Sequence, residues 1–263
     1  MQHFYRVGNG EFGEVYHLAT ELILLEGTQD LTVIFENFPQ GKEFFDFLSI
    51  DLPNKDERAK EKPLPSSAET IFLKFYPGCL AKQQMLIRST GKKSNWINPF
   101  PELLTNDIKL LIWHRTKSYK CYRNSTIGLL VQLSSLCKKN NTIALVVGEE
   151  AEVDGLKFLG KYYEHDFFKT ESIAKQLWFI DQLFTCGGVI ASVGMMSGAM
   201  DGAAMFFGHK TIFFARQKDA APRMTKLSLV VPNLKWLAIE YQESFQKLTN
   251  FELAQLQEMI WQE

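Results

Sequence analysis

Gly187 to Arg216, GGVIASVGMMSGAMDGAAMFFGHKTIFFAR, is the stretch on which the fold turns. Val189, Ile190 and Ala191 form a short apolar run, the mark of a buried strand. Ser192 to Gly198 is rich in small residues and reads as a loop, and Gly198 opens a helix of small residues. Thr211 to Ala215 is a second strand-like run. Strand, loop, helix and strand in that order predict a βαβ unit with parallel strands. Open α/β sheets bind ligands where a strand hands over to a loop and helix. Ser197 and Gly198 would stand there, offering a hydroxyl and backbone N–H groups to a phosphate or a sugar hydroxyl. Gly202, Ala203 and Ala204 would let the helix lie close to the sheet. A purely packing role for this small-residue helix explains the same letters, so the neighbouring segments have to decide.

Working outward, Lys109 to Trp113 reads as a buried strand and Thr126 to Lys138 as an amphipathic helix. Thr142 to Val147 is a strand ending in Gly148-Glu149-Glu150, and Ser172 to Thr185 is a helix. Short strands or an irregular return are expected at Ser228 to Val231 and Trp236 to Ile239, with a terminal helix at Asn250 to Gln262. Upstream, His3 to Val7 and Leu31 to Phe35 read as strands on either side of a helical pattern at Glu11 to Glu26. Asp51 to Ser67 is polar and proline-rich and reads as an exposed loop. Thr70 to Tyr76 alternates as a strand, and Ala81 to Ile87 suits a short helix. Lys92 to Pro101, KKSNWINPFP, is the candidate interdomain linker. The expectation is an α/β protein with a doubly wound sheet in each half: a small domain over 1–100 and a larger one over 101–263.

The bulk numbers narrow the classes. The chain has 263 residues, 46% hydrophobic and 22% charged, with a net charge of −1. These are the proportions of a globular protein, and they leave no overall basic footprint for nucleic acid. No apolar run reaches the ~18 residues of a membrane span. MQHFYRVGNGEFG lacks the basic-then-apolar order of a secretory signal. Cys79, Cys121, Cys137 and Cys186 show no CxxC or zinc-like spacing, so the expectation is a reduced cytoplasmic setting with thiols as core fillers. The 21 phenylalanines imply a heavily aromatic core or a tacky surface.

Two clusters carry chemistry. Gly8, Gly10 and Gly13 form a GxGxxG between a predicted strand and a predicted helix, with Glu36 after the next strand. That pattern suits a dinucleotide and makes an NAD(P)-dependent oxidoreductase one reading; a tight βα turn explains it equally. No Tyr-x-x-x-Lys accompanies it. The second cluster, HRTKSYKCYRNS, follows the Lys109–Trp113 strand. His114, Arg115, Lys117, Lys120, Arg123 and Asn124 would stand at the carboxyl end of a central strand, aiming cations into the crevice. Arginine offers a planar fork suited to a diphosphate, and lysine a point charge. A solvated basic loop is the alternative.

WHR…RNS, a helix, LVVGEE, a helix, then GVIASVGMMSGAMDGAAMFFGHKTIFF together resemble the donor-binding domain of GT-B glycosyltransferases, in the branch of heptosyltransferases and fucosyltransferase-like enzymes. The resemblance covers roughly 109–216, and GNGEFGEVYHLAT is similar to the Gly-rich first loop of their acceptor domain. It implies two Rossmann-like domains and transfer of a sugar from a nucleotide-diphosphate donor to a hydroxyl acceptor, metal-independent and inverting, with no cofactor beyond the donor. By the same resemblance Gly10, His114, Arg115, Lys120, Arg123, Asn124, Gly148, Glu149, Ser197, Gly198 and Asp201 would bind the donor. Arg115 would also stabilise the leaving diphosphate, and Glu11, with His17 one turn further, would take the acceptor's proton. Asp201 stands where many relatives carry His. No DxD-like carboxylate pair ends a strand. A non-catalytic nucleotide-binding relative is the third reading, and the sequence names neither the sugar, the acceptor nor the oligomeric state.

Overall fold

The computed structural model describes residues 3–7, 31–35, 54–56, 69–70, 95–118, 121–170, 172–217, 231, 233–240 and 247–262. Two sheets appear among them. The first is four-stranded and parallel: β1 (His3–Val7), β2 (Leu31–Phe35), β3 (Asn54–Asp56) and β4 (Glu69–Thr70), in the order β3-β2-β1-β4. β1 and β2 fall where the sequence puts them. β3 corrects the reading of 51–67 as loop throughout: Asn54–Asp56 pairs with β2. It is the outermost of the described strands, so its backbone answers a neighbour on one side only and little apolar patterning is needed.

The second sheet has six parallel strands. β5 (Ile108–His114) leads into helix α1 (Ile127–Lys139), then β6 (Ile143–Gly148), β7 (Leu156–Gly160), α2 (Ser172–Thr185), β8 (Ala191–Met195), α3 (Gly198–Phe207), β9 (Thr211–Ala215), β10 (Leu234–Ala238) and α4 (Asn250–Trp261). Their spatial order is β10-β9-β8-β5-β6-β7. The chain therefore moves outward from β5 to one edge, returns to the centre at β8, and moves outward to the other. That reversal between β5 and β8 is the switch point of a doubly wound sheet.

Strand alternation sends side chains to two faces. Leu111, Leu145, Val147 and Phe213 pack under α2 and α3 with Phe179, Ile180 and Phe206. Leu110, Ile112, Val146, Val193 and Phe214 pack under α1 and α4 with Leu130, Leu133, Leu256 and Ile260. Among the described residues Phe168, Phe179, Phe206, Phe213 and Phe214 are the largest fully buried side chains, whereas Phe251 is exposed.

Two expectations change in this half. β8 runs through Met195, so Ser192 to Met195 is strand rather than loop. All five of its residues are buried between β5 and β9, and the Ser192 hydroxyl meets the Thr211 hydroxyl at 3.2 Å. In the described part of the candidate linker, the Trp96 ring meets Trp178 edge-on at 5.7 Å, and Phe100 meets Phe179 at 5.6 Å. Among the cysteines, Cys137 is a core filler whose thiol is pushed up to about 11 by burial, but Cys186 is exposed. Among the described residues no helix is long and apolar enough to cross a membrane.

Candidate functional site at the strand switch point

The register sets the site. Trp113 of β5 lies beside Gly194 of β8, and His114 lies beside Gly148 of β6. The residues that leave these strands, Arg115, Glu149 and Met196-Ser197, are therefore neighbours along one carboxyl edge. Two glycines permit the close fit. A Cβ on Gly194 would come within 2.9 Å of Trp113 Cβ and 3.0 Å of Met200 Sδ. Gly148 has φ +107°, and a Cβ there would lie 2.2 Å from the His114 carbonyl oxygen. Freed of that clash, the Glu149 N–H donates to the same oxygen at 3.1 Å.

The loop between β5 and α1 is closed at its base. Ser125 N–H donates to Arg115 O at 3.0 Å, and Arg115 N–H donates back to Ser125 Oγ at 2.9 Å. His114, buried at the strand end, sets its Nδ1 2.7 Å from the same Oγ. Burial lowers the His114 pKa, with the Glu149 carboxylate acting in the opposite direction. Asn124 works in both directions: its Nδ2 donates to Lys117 O at 2.8 Å, and its Oδ1 accepts from Arg115 Nη1 at 2.5 Å. Arg115 is thus a preorganised guanidinium at a strand end, aimed by Asn124. Thr126 then caps α1, its Oγ1 accepting from Leu129 N at 3.2 Å.

Glu149 is drawn into an ion-pair cluster instead of standing open. Its carboxylate lies 2.5 Å from Lys117 Nζ and 3.7 Å from Lys161 Nζ. The hydrogen bond from Lys117 is the main cause of its lowered pKa. On the far side of the switch point, Ser197 is the N-cap residue of α3, although its hydroxyl makes no capping bond. The first N–H groups of α3 have no intrahelical acceptor and face the end of the helix. Asp201 follows within the first turn at 0% exposure, so it presents no surface to a ligand in this structure.

Beyond Arg115, the basic lip includes a pair that spans strands. The Arg123 guanidinium lies over the Tyr122 ring at 5.5 Å, and Arg216, the first residue after β9, lies over the same ring at 4.6 Å. Arg216 escaped the sequence reading; its only signal there is a cation directly after a buried strand. His209 lies at the opposite edge with Nε2 2.7 Å from Asp181 Oδ1. Gly8, Gly10, Gly13, Glu11, His17, Glu36 and Lys120 lie outside the described residues. Among the described residues no cluster of His, Cys, Asp and Glu suits a metal ion.

No family model matches the chain, and no curated protein matches it by sequence. A solved structure does match: that of E. coli ADP-heptose LPS heptosyltransferase II, with a TM-score of 0.51 at 8% identity. The alignment covers 98% of this chain and 97% of that one. The fold is similar to that of a GT-B glycosyltransferase. At this identity the likeness speaks for the fold, and chemistry has to be argued from the residues.

Proposed function

We propose that this protein is a glycosyltransferase that moves a sugar from a nucleotide-diphosphate donor to a hydroxyl acceptor, without a metal ion and with inversion at the sugar carbon. The observation that carries this reading is the switch point itself: a guanidinium oriented by Asn124 at the end of β5 stands beside the β8 end and the opening turn of α3. A donor cleaving between sugar and diphosphate develops charge on the departing phosphate oxygens. Arg115 and the N–H groups that open α3 supply fixed positive potential there, which favours the departing charge over the intact donor. Lys117 contributes less, because Glu149 holds it.

The acceptor side is assigned to 1–100. Glu11 takes the hydroxyl proton as the bond to the sugar carbon forms, with His17 as the substitute base. Donor contacts come from 101–263.

A thermal-shift panel of UDP, GDP, ADP, CMP and NAD(H) tests the reading. A nucleoside diphosphate at about 100 times its dissociation constant stabilises the fold by about 2.7 kcal/mol. The response should shrink in Arg115→Ala, which removes a charged contact worth about 1.5–3 kcal/mol. A response to NAD(H) alone would replace the transferase with an oxidoreductase built on Gly8, Gly10 and Gly13.

A further inference from the structure

Three neighbouring strand ends carry a cation, an anion and a cation. Lys117 follows β5, Glu149 follows β6 and Lys161 follows β7, and these strands lie side by side in that order. Both ammonium groups converge on the one carboxylate. Lys117 Nζ lies 2.5 Å from Glu149 Oε1, and Lys161 Nζ lies 3.7 Å from Glu149 Oε2. The Glu149 side chain is 15% exposed, against 45% and 36% for the two lysines, so the cations are the more open partners.

The backbones of the pair are fixed. Glu149 N–H donates to the His114 carbonyl, and the Lys117 carbonyl accepts from Asn124, the same amide that orients Arg115. Lys117 is thereby anchored beside Arg115, with its ammonium on a flexible four-carbon stem. An ion pair this exposed is cheap to open. A phosphoryl group arriving at Arg115 brings more negative charge and more acceptor oxygens than a carboxylate. Glu149 can give up Lys117 without being left bare, because Lys161 stays within its reach.

We propose that Glu149 is a counter-ion that holds Lys117 in the free protein, passes it to an incoming phosphoryl group, and falls back on Lys161. The exchange rests on the transferase reading only for its natural ligand, the diphosphate of a nucleotide donor. It gives Glu149 a part opposite in sign to that of a donor contact: removing its charge tightens the binding of a phosphate instead of weakening it.

Calorimetric titration with inorganic pyrophosphate, which has neither sugar nor base, tests the exchange apart from the reaction. Glu149→Gln should tighten pyrophosphate binding by roughly threefold to tenfold. Lys117→Met in the same background should remove that gain. Glu164→Gln deletes an equal charge 3.6 Å from Lys161 and should leave the affinity close to that of the wild type. Equal tightening by both glutamines is a general charge effect and overturns the proposal. So does an unchanged or weaker affinity in Glu149→Gln, or no binding by either protein. A crystal of the wild-type protein soaked in pyrophosphate gives the answer without relying on the variants' folding. Lys117 Nζ on a phosphate oxygen with Glu149 on Lys161 supports the exchange, and bound pyrophosphate with Lys117 still on Glu149 overturns it. Sugar transfer is assayed separately. Tightening in a protein that transfers no sugar keeps the exchange and fails the transferase, and transfer without tightening fails the exchange alone.

Discussion

At the amino edge of the six-stranded sheet, polar side chains answer one another across the fold. His209 pairs with Asp181 and stacks on Phe184 at 4.2 Å with the planes 8° apart. Lys210 Nζ donates to the carbonyls of Ile260 and Gln262 at 3.2 and 3.3 Å, and Asn233 donates to the Gly208 carbonyl. At the carboxyl edge the same kinds of residue are spent on shaping a loop. His114, Ser125 and Asn124 fasten its base, and the arginines are positioned by an amide and by an aromatic ring. One edge closes its polar groups into the structure, and the other holds cations in place at the strand ends. The difference is the physical ground for placing chemistry at the second.

Three substitutions or titrations would break or sharpen that contrast. The largest effect is expected of Gly148→Ala, since the added Cβ meets the His114 carbonyl at a φ that L-residues avoid. Urea denaturation should show a loss of about 2–4 kcal/mol. Binding of the nucleotide should fall with it, because the same turn sets Glu149 and the loop base. Asp181→Ala should cost about 1–3 kcal/mol by leaving His209 without its carboxylate. Nucleotide affinity should stay as in the wild type, and a parallel loss of affinity would mean that the two edges are not independent.

The mildest effect is a pH dependence. His114 is held neutral by burial, so its folded pKa lies below the ordinary 6.5. The unfolded chain then binds more protons just below that pH, and stability declines as the pH falls through it. Glu149, also lowered, gives up its contribution only below its ordinary 4.5, which leaves the interval above that value to His114. Melting temperatures measured from pH 7 to pH 5 should fall less steeply in His114→Gln than in the wild type.

What the sequence disclosed follows from which physical signal each element needed. α1 and α2 carry apolar residues at helical spacing, and β6 and β9, buried on both faces, are continuous apolar runs, so all four are legible to within a residue or so. β7 carries no such signal: it is half-exposed at the edge of the sheet, with a lysine at its second position. The end of β8 differs from the expected loop because Ser192 and Gly194 are residue types common in loops. Their strand role depends on a hydroxyl partner in β9 and a tryptophan in β5. The site divides in the same way. Arg115 stands out as a cation at a strand end, a one-dimensional signal. Arg216 acquires meaning only through Tyr122, which the fold brings to it from a distant loop.

The clasp on α4 has a consequence for how the molecule comes apart. Gln132 donates from Nε2 to Leu248 O and accepts at Oε1 from Leu248 N, both at 2.7 Å, just before Thr249 and Glu252 complete a capping box. Lys210 holds the other end. A helix fastened at both ends cannot peel away one turn at a time. Its amides should exchange with solvent together, in a single opening that uncovers Leu237 and Ile239 at once.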